Sequence, residues 1–427
     1  MTQSNSSVPA EFNDLYQYTQ SRLQGFDNTI KAGWNGKNNP GLVIGAEPLP
    51  MDNYAQLTQA NYYAGNVTPY LNALQSLGAQ CVKVKVDFPM LYQPWYAWKY
   101  GSTSGPQQYA ARLGVYSEFV KDVRARRMKA IIQSVVVPAT GGSQSDVLGM
   151  STYYPTLSDS QYTAGRVAQV IAVAELLQPD FLNFSSEPDN EGVKAMRASL
   201  EPSDSNWMQN NVALVSAIIS GLNGEVAAGR LKGLHTSMKT SIGVGPWTSP
   251  FSDFTSLVAS YVALDVDIID VHCHPINLVG TNDYLMNMVT EMDAATAAGK
   301  GVGMDEQWVY YESDTELAAN LASETVESRN NWDFWTPLDI LYMQVLTDLA
   351  HWKNCAYLSF SSSNQFFAKL AYPNTATLSP SQLDAAESAS TGTAIQAATL
   401  NPTAVGQALS QLIKAGSAQP LGAGVAA

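Results

Sequence analysis

An α/β chain closed into a (β/α)8 barrel is the fold class this sequence predicts, and three observations predict it. Eight short β-rich runs recur along the chain, long amphipathic stretches separate them, and no glycine-rich phosphate turn opens the first helix. Strand alternating with helix means a parallel sheet, and the missing phosphate turn argues against an open nucleotide-binding sheet. With 427 residues, 45% of them apolar, the chain can bury a core of that size.

In order, the runs are "GLVIGA" (41–46), "CVKVKVDF" (81–88), "KAIIQSVVV" (129–137), "FLNFSS" (181–186), "KTSIGVG" (239–245), "VDIIDVHCH" (266–274), "GVGMDE" (301–306) and "AYLSFSS" (356–362). Between them "YLNALQSLGA", "RVAQVIAVAELLQ", "NNVALVSAIISGL" and "LDILYMQVLTDLAHW" repeat apolar residues at three and four, the period of a helix with one buried face. The expected organisation is an N-terminal cap over 1–40, the barrel over 41–375, and a helical segment over 376–427 packing on the barrel, with a loose end at "LGAGVAA". The stretches 89–107 and 138–158 read as long loops after the second and third strands.

Composition narrows the partners. The chain carries 37 acids against 23 Lys+Arg, a net charge of −14, whereas nucleic acid or an anionic membrane as main partner demands a basic surface. No run approaches the length of a membrane span. The first residues, "MTQSNSSVPAEFND", lack a basic start and an apolar block, so no signal peptide is expected in this chain. Cys81, Cys273 and Cys355 are odd in number and lie in or beside apolar runs, which reads as three buried thiols. No cofactor is expected.

Side chains alternate along a strand, so each run states which residues face the lumen. In "VKVKVD" Val82, Val84 and Val86 face the helices and Lys83, Lys85 and Asp87 face inward; in "IDVHCH" Asp270, His272 and His274 face inward; on the fourth run the same count gives Asn183, Ser185 and Glu187. Any one of these could belong to a structural ion-pair network, and Glu187, before Pro188, could cap the next helix. Several strands nevertheless deliver ionisable groups to one place, the C-terminal mouth where barrel sites are built. The seventh run adds Glu306, followed by Trp308, Tyr310 and Tyr311. Two carboxylates facing each other across a mouth suit glycosidic bond cleavage, in which one protonates the leaving oxygen and the other attacks or stabilises the anomeric carbon.

A fourth strand ending in "SSEPDN" and a seventh ending in "MDEQWVYY" resemble the clan A glycoside hydrolases, and "HCHP" on the sixth is similar to the His-x-Tyr of that clan's cellulase and mannanase families. The resemblance covers roughly 35 to 375, and its specific part is these three motifs. It implies a retaining enzyme acting on β-linked oligo- or polysaccharide, with Glu187 as acid/base and Glu306 as nucleophile. Such roles ask for a raised pKa at Glu187 and a charged Glu306. Three positions depart from the family pattern: Ser186 stands where an Asn is usual, Lys85 replaces an expected Arg, and His274 replaces the Tyr that steadies the nucleophile.

Aromatic residues are the expected binding surface, because sugar rings pack on indole and phenol faces. Tyr92, Trp95, Tyr96, Trp98 and Tyr100 follow the second strand, Trp247 follows the fifth, Trp332 and Trp335 precede the last barrel helix, and Trp308 is the expected platform at the cleaved sugar. The expected substrate contacts are therefore Lys85, Asp87, Ser186, Trp247, His272, His274, Trp308 and Tyr310. Two other classes fit parts of the pattern. One is a metal-dependent barrel hydrolase using His272 and His274 with His235, His351 or Asp270; the other is a barrel that binds carbohydrate without cutting it.

Overall fold

The structure, a computed structural model, describes residues 7–140, 145–274, 283–313, 316 and 328–417. Its centre is a closed barrel of eight parallel strands in sequence order: β1 (Val43–Ala46), β2 (Cys81–Lys85), β3 (Lys129–Gln133), β4 (Phe181–Asn183), β5 (Lys239–Gly243), β6 (Ile268–Asp270), β7 (Gly301–Gln307) and β8 (Tyr357–Phe360). Each strand lies inside the run that predicts it or, for β7, extends it by one residue. Most are shorter than their runs because the chain leaves the ladder at the mouth.

The lumen is filled in layers, as the alternation requires. Cys81, Ile131, Phe181, Ile268 and Tyr357 form an apolar floor separate from the main core, while Val82, Val84 and Val86 point outward into the core between sheet and helices. Above the floor the inward positions turn polar: Lys83, Gln133, Asn183, Ser241, Asp270 and Ser359 are all buried. Gly303 belongs to the inward set and leaves room for the Tyr357 ring, since a Cβ there would stand 2.2 Å from it. Gly303→Ala should therefore lower stability by about 1–3 kcal/mol through overpacking. A Tyr357→Leu change in the same chain should recover part of that loss in a urea titration. Equal stability of the Gly303→Ala chain and its parent would refute the account.

The outer helices include α1 (Asn13–Gly33), α2 (Thr68–Leu77), α3 (Gln93–Ala125), α4 (Asp159–Leu177), α5 (Pro188–Ala195), α6 (Trp207–Ala227), α7 (Phe251–Val262), α8 (Tyr284–Ala297), α9 (Thr336–Trp352), α10 (Pro380–Gln396) and α11 (Ala404–Ser417). Helix α1 lies along the barrel's flank against α9, with Tyr16 stacked on Trp335 at one end and Trp34 stacked on His351 at the other. The C-terminal pair joins the same core through Leu383, Val405, Leu409 and Ile413. The loose end expected at "LGAGVAA" lies outside the described residues.

One loop expectation needs correction, and with it the placing of four aromatic rings. The stretch 89–107 is mostly the start of α3, broken at Gly101 where φ is 78°. A helix begins at Gln93 because Pro94 suits a first turn and no strand pairing competes. Trp95 and Tyr96 are consequently core residues at 0% and 2% exposure. Trp332 and Trp335 are buried too, Trp335 in parallel contact with Tyr311 at 4.0 Å. These four rings anchor the scaffold. Of the second-strand aromatics only Trp98 and Tyr100 are exposed at the surface, with Tyr92 half-buried.

Candidate active site

Glu187 and Glu306, from the ends of β4 and β7, line one cavity of about 120 Å³ at the mouth, together with Lys85, Asp87, Gln133, Ser186 and Lys194. The two carboxylates are held by different cations. Glu306 accepts from Lys83 Nζ at 2.7 Å and has Lys85 Nζ at 3.7 Å. Lys83 also donates to both oxygens of Glu47 at 3.2 Å, and Lys85 lies 3.5 Å from Glu47, so two lysines and two acids alternate. Lys83 is fully buried and Glu306 is 13% exposed.

Glu187 sits at the N-cap position of α5, yet its side chain caps no backbone N–H. Its Oε1 meets His272 Nδ1 at 3.1 Å and His274 Nε2 at 3.3 Å, and its Oε2 accepts from Lys194 at 2.9 Å and Asn190 at 3.0 Å. The helix-cap reading of Glu187 is thus set aside by where the carboxylate goes. Helix α5 is itself pinned by Arg166, fully buried, which donates to Glu191 at 2.7 Å and to the carbonyls of Ser134 and Phe184.

Burial raises the carboxyl of Glu187, but the Lys194 charge and the hydrogen bonds from His272 and His274 outweigh it and hold the group well below the usual carboxylate range. That corrects the expectation of a raised value: the resting site keeps Glu187 ionised. Burial likewise works against the Glu306 charge and is overcome by Lys83 and Lys85, then by the two histidines, so Glu306 is ionised as expected. His272 is driven the other way. Burial disfavours its charge, but Asp305 and hydrogen bonds to Asp270, Asp305 and Glu187 lift it well above the ordinary histidine value. It is an imidazolium, with Nε2 at 2.5 Å from Asp305 and 3.1 Å from Asp270. His274 is lowered by burial and is neutral at pH 7. Asp189, in the first turn of α5, is pushed up to about 7 by burial and by Glu187 nearby, while Trp247 Nε1 donates to it at 3.1 Å.

The inward count succeeds for Lys83, Lys85, Asp87, Asn183, Asp270, His272 and His274 and fails at Ser185. Strand β4 ends at Asn183, so the alternation stops there; the Ser185 hydroxyl lies 3.3 Å from Tyr261 of α7, and Ser186 enters the cavity instead, accepting from Gln133 Nε2 at 3.3 Å. His274 also departs from its expected task, since it bonds Glu187 and not Glu306. Asp87 accepts from Tyr54 and the Val135 N–H. Trp308 lies edge-on to His274, ring centres 4.9 Å apart, with the Tyr310 ring 4.1 Å from Trp308 and Trp247 at 5.2 Å from His274, so these rings gather beside Glu187.

Glu47, Asp305 and Lys194 are site residues that sequence reasoning missed. Glu47 ends β1 in "GAEP", the same acid-before-proline at a strand end as "SSEP", and that repeat was the available signal. Lys194 lies seven residues after Glu187, two helical turns along one face of α5. Asp305 was hidden by a bulge. Met304 pairs with Leu358 and Gln307 with Phe360, so β7 carries one residue more than β8 there, and Asp305 and Glu306 both reach the lumen.

Of the suggested metal set, His235 pairs with Asp267 at 2.8 Å and His351 packs on Trp34, and neither joins His272, whereas Asp270 does, 3.1 Å from it and close enough with Asp305 to share an ion. Glu187, His272 and His274 are close enough to share an ion, but the His272 nitrogens are already engaged by carboxylates on both sides.

No family model and no curated protein matches this chain. Solved structures do. The barrel is similar to the exo-beta-1,4-mannosidase Op5Man5 from Opitutaceae bacterium strain TAV5, with TM-score 0.53 and 12% identity over 88% of this chain and 60% of that one. It is similar also to GH5_18 from Bifidobacterium longum subsp. longum ATCC 55813, solved in complex with Manb1-4GlcNAc, with TM-score 0.50 and 11% identity over 88% and 78% of the two chains. Both likenesses are of fold, and they fall within the clan A glycoside hydrolases that the strand-end motifs resemble.

Proposed function

We propose that this chain is a retaining glycoside hydrolase acting on β-linked oligo- or polysaccharide, with Glu306 as nucleophile and Glu187 as acid/base. The observation that carries the reading is the pairing of two strand-end carboxylates in one small cavity, each with its own cations. Glu306, ionised against Lys83 and Lys85, attacks the anomeric carbon; the glycosyl–oxygen bond breaks as the leaving oxygen takes a proton from Glu187. Because Glu187 rests ionised, its proton comes from the His272 imidazolium, whose Nδ1 faces Oε1. Lys194, one-third exposed on the cavity wall, is displaced from Oε2 as the sugar enters, which removes the cation that opposes protonation. In the second step Glu187 takes a proton from water as the water oxygen attacks the anomeric carbon, the bond from that carbon to Glu306 breaks to free the carboxylate, and Glu187 passes the proton back to His272. Trp308, Tyr310 and Trp247 support the sugar faces, and Ser186 and Lys194 offer donors to its hydroxyls.

Glu187→Gln tests the acid/base role. Polysaccharide hydrolysis should fall about 10²–10⁴-fold, while aryl glycosides with activated leaving groups should keep their first step, and added azide should restore turnover with a β-glycosyl azide as product. An α-azide would overturn the retaining route. Unaltered polysaccharide hydrolysis would overturn the assignment of Glu187. A barrel that only binds carbohydrate would show no turnover before the change either.

A further inference from the structure

A second cavity, of about 320 Å³, opens between the turns that follow β1 and the C-terminal helix α10. Its walls are Asn53, Gln56, Tyr62 and Asn66 on one side and Thr391 and Gln396 on the other, and no acidic or basic side chain is among its described lining. In a chain of net charge −14, a cavity whose walls mix amides, hydroxyls and a phenol ring with the apolar Leu49, Pro50, Pro69 and Ile395 is suited to an uncharged ligand that carries both hydroxyls and apolar faces.

The backbone around it is unusual in two ways. Tyr63–Val67 is a π-helical turn leading directly into α2, after Asn61 at φ 65°; such turns are seldom kept in a helix without a functional reason. Gly65, on that turn, and Gly392, in the interior of α10, both line the cavity, and a Cβ at either would meet nothing within 4 Å. Glycine weakens a helix interior, and at Gly392 no neighbouring atom requires it. Its effect is to keep the cavity open.

A chain of contacts also links the cavity to the mouth. Tyr70, on its lining, is 2.8 Å from Ser363 Oγ, and Ser363 donates to the carbonyl of Glu47, whose carboxylate is held by Lys83 and Lys85. Residues 47–56 therefore present Glu47 to the mouth and Asn53 and Gln56 to the second cavity.

We propose that this cavity is a second binding site for a neutral saccharide, holding a glycan segment beside the one being cut. The choice of a saccharide among hydroxyl-rich ligands rests on the glycosidase reading of the mouth. The test uses Gly392→Phe, which fills the cavity from a helix position with free space and touches no residue of the mouth; circular dichroism and thermal unfolding establish that it folds. Neutral β-linked gluco-, manno- and xylo-oligosaccharides are titrated against Glu306→Gln and against the Glu306→Gln/Gly392→Phe double variant, with saturation-transfer NMR at millimolar ligand. The expected result is saccharide contact surviving in the first protein when the mouth is held by a saturating, non-hydrolysed aryl thioglycoside and lost in the second, together with at least a threefold rise in KM for polysaccharide and unchanged aryl glycoside hydrolysis in Gly392→Phe alone. Equal saccharide signal in both proteins, or no signal beyond the mouth in either, would overturn the second site. Failure of the whole chain to release sugar, with the Gly392-dependent signal intact, would instead overturn the glycosidase reading and leave the second site standing.

Discussion

Glu306→Gln is expected to abolish sugar release from every β-glycan the parent cleaves, with a loss of about 10³-fold or more, because a residue that forms the covalent intermediate has no substitute in the site. The change should leave the fold intact. Lys83 keeps Glu47 as a partner at 3.2 Å through both oxygens, so the amide at 306 strands no buried cation. Reducing-end assays on a panel of β-linked gluco-, manno- and xylo-polysaccharides, run beside urea unfolding of both proteins, check the two halves together. Residual activity within tenfold of the parent would remove Glu306 from the chemistry. A collapse of stability alongside activity would leave the loss without a catalytic meaning, and Glu306→Asp, which keeps the charge and withdraws it by one methylene, then separates reach from fold.

The barrel was legible because its strands are short, apolar on one face and bounded by turns, and because period-two counting assigns the lumen without any knowledge of neighbours. Lys83, Lys85, Asp270, His272 and His274 came from that count alone. It failed where the ladder itself ends or slips. Past Asn183 the regular strand ends, although Phe184 N–H still donates to the Ser241 carbonyl and Gly243 N–H to that of Ser185, and Ser186 takes the place counted for Ser185; on β7 one inserted residue turns both Asp305 and Glu306 inward. The direction of the Glu187 shift was illegible for another reason. It depends on Lys194, which a helix returns to the strand end, and on two histidines from β6, and their distances exist only once the barrel closes. Aromatic residues misled in the same way: Trp95 and Trp335 have the composition of a binding surface, and helix α3 and the packing against α1 decide that they are core.

Lys83→Met should give the largest loss of stability in the mouth. Its ammonium is fully buried and lies between Glu47 and Glu306, and removing one partner of a buried pair leaves uncompensated charge, at a cost of about 3–5 kcal/mol. Lys85, at 3.5 and 3.7 Å from the two acids and partly exposed, replaces only part of the attraction. The pH dependence gives the change a signature that lost packing would not. In the parent, the folded pKa of Glu306 is depressed, so its contribution is present above the unfolded value of about 4.3 and disappears as pH falls through the lower folded value. Without Lys83 the folded pKa of Glu306 rises, because burial is then opposed only by Lys85 and the two histidines, and acidification relieves the strain by protonating it. Urea unfolding should therefore show a wide gap between parent and variant at pH 7 that narrows toward pH 4, and the Lys83→Met/Glu47→Gln double variant should recover much of the pH 7 loss. A gap that stays constant across that range would mean the lysine acts through packing of its stem, and would remove the argument that Lys83 is what keeps Glu306 ionised.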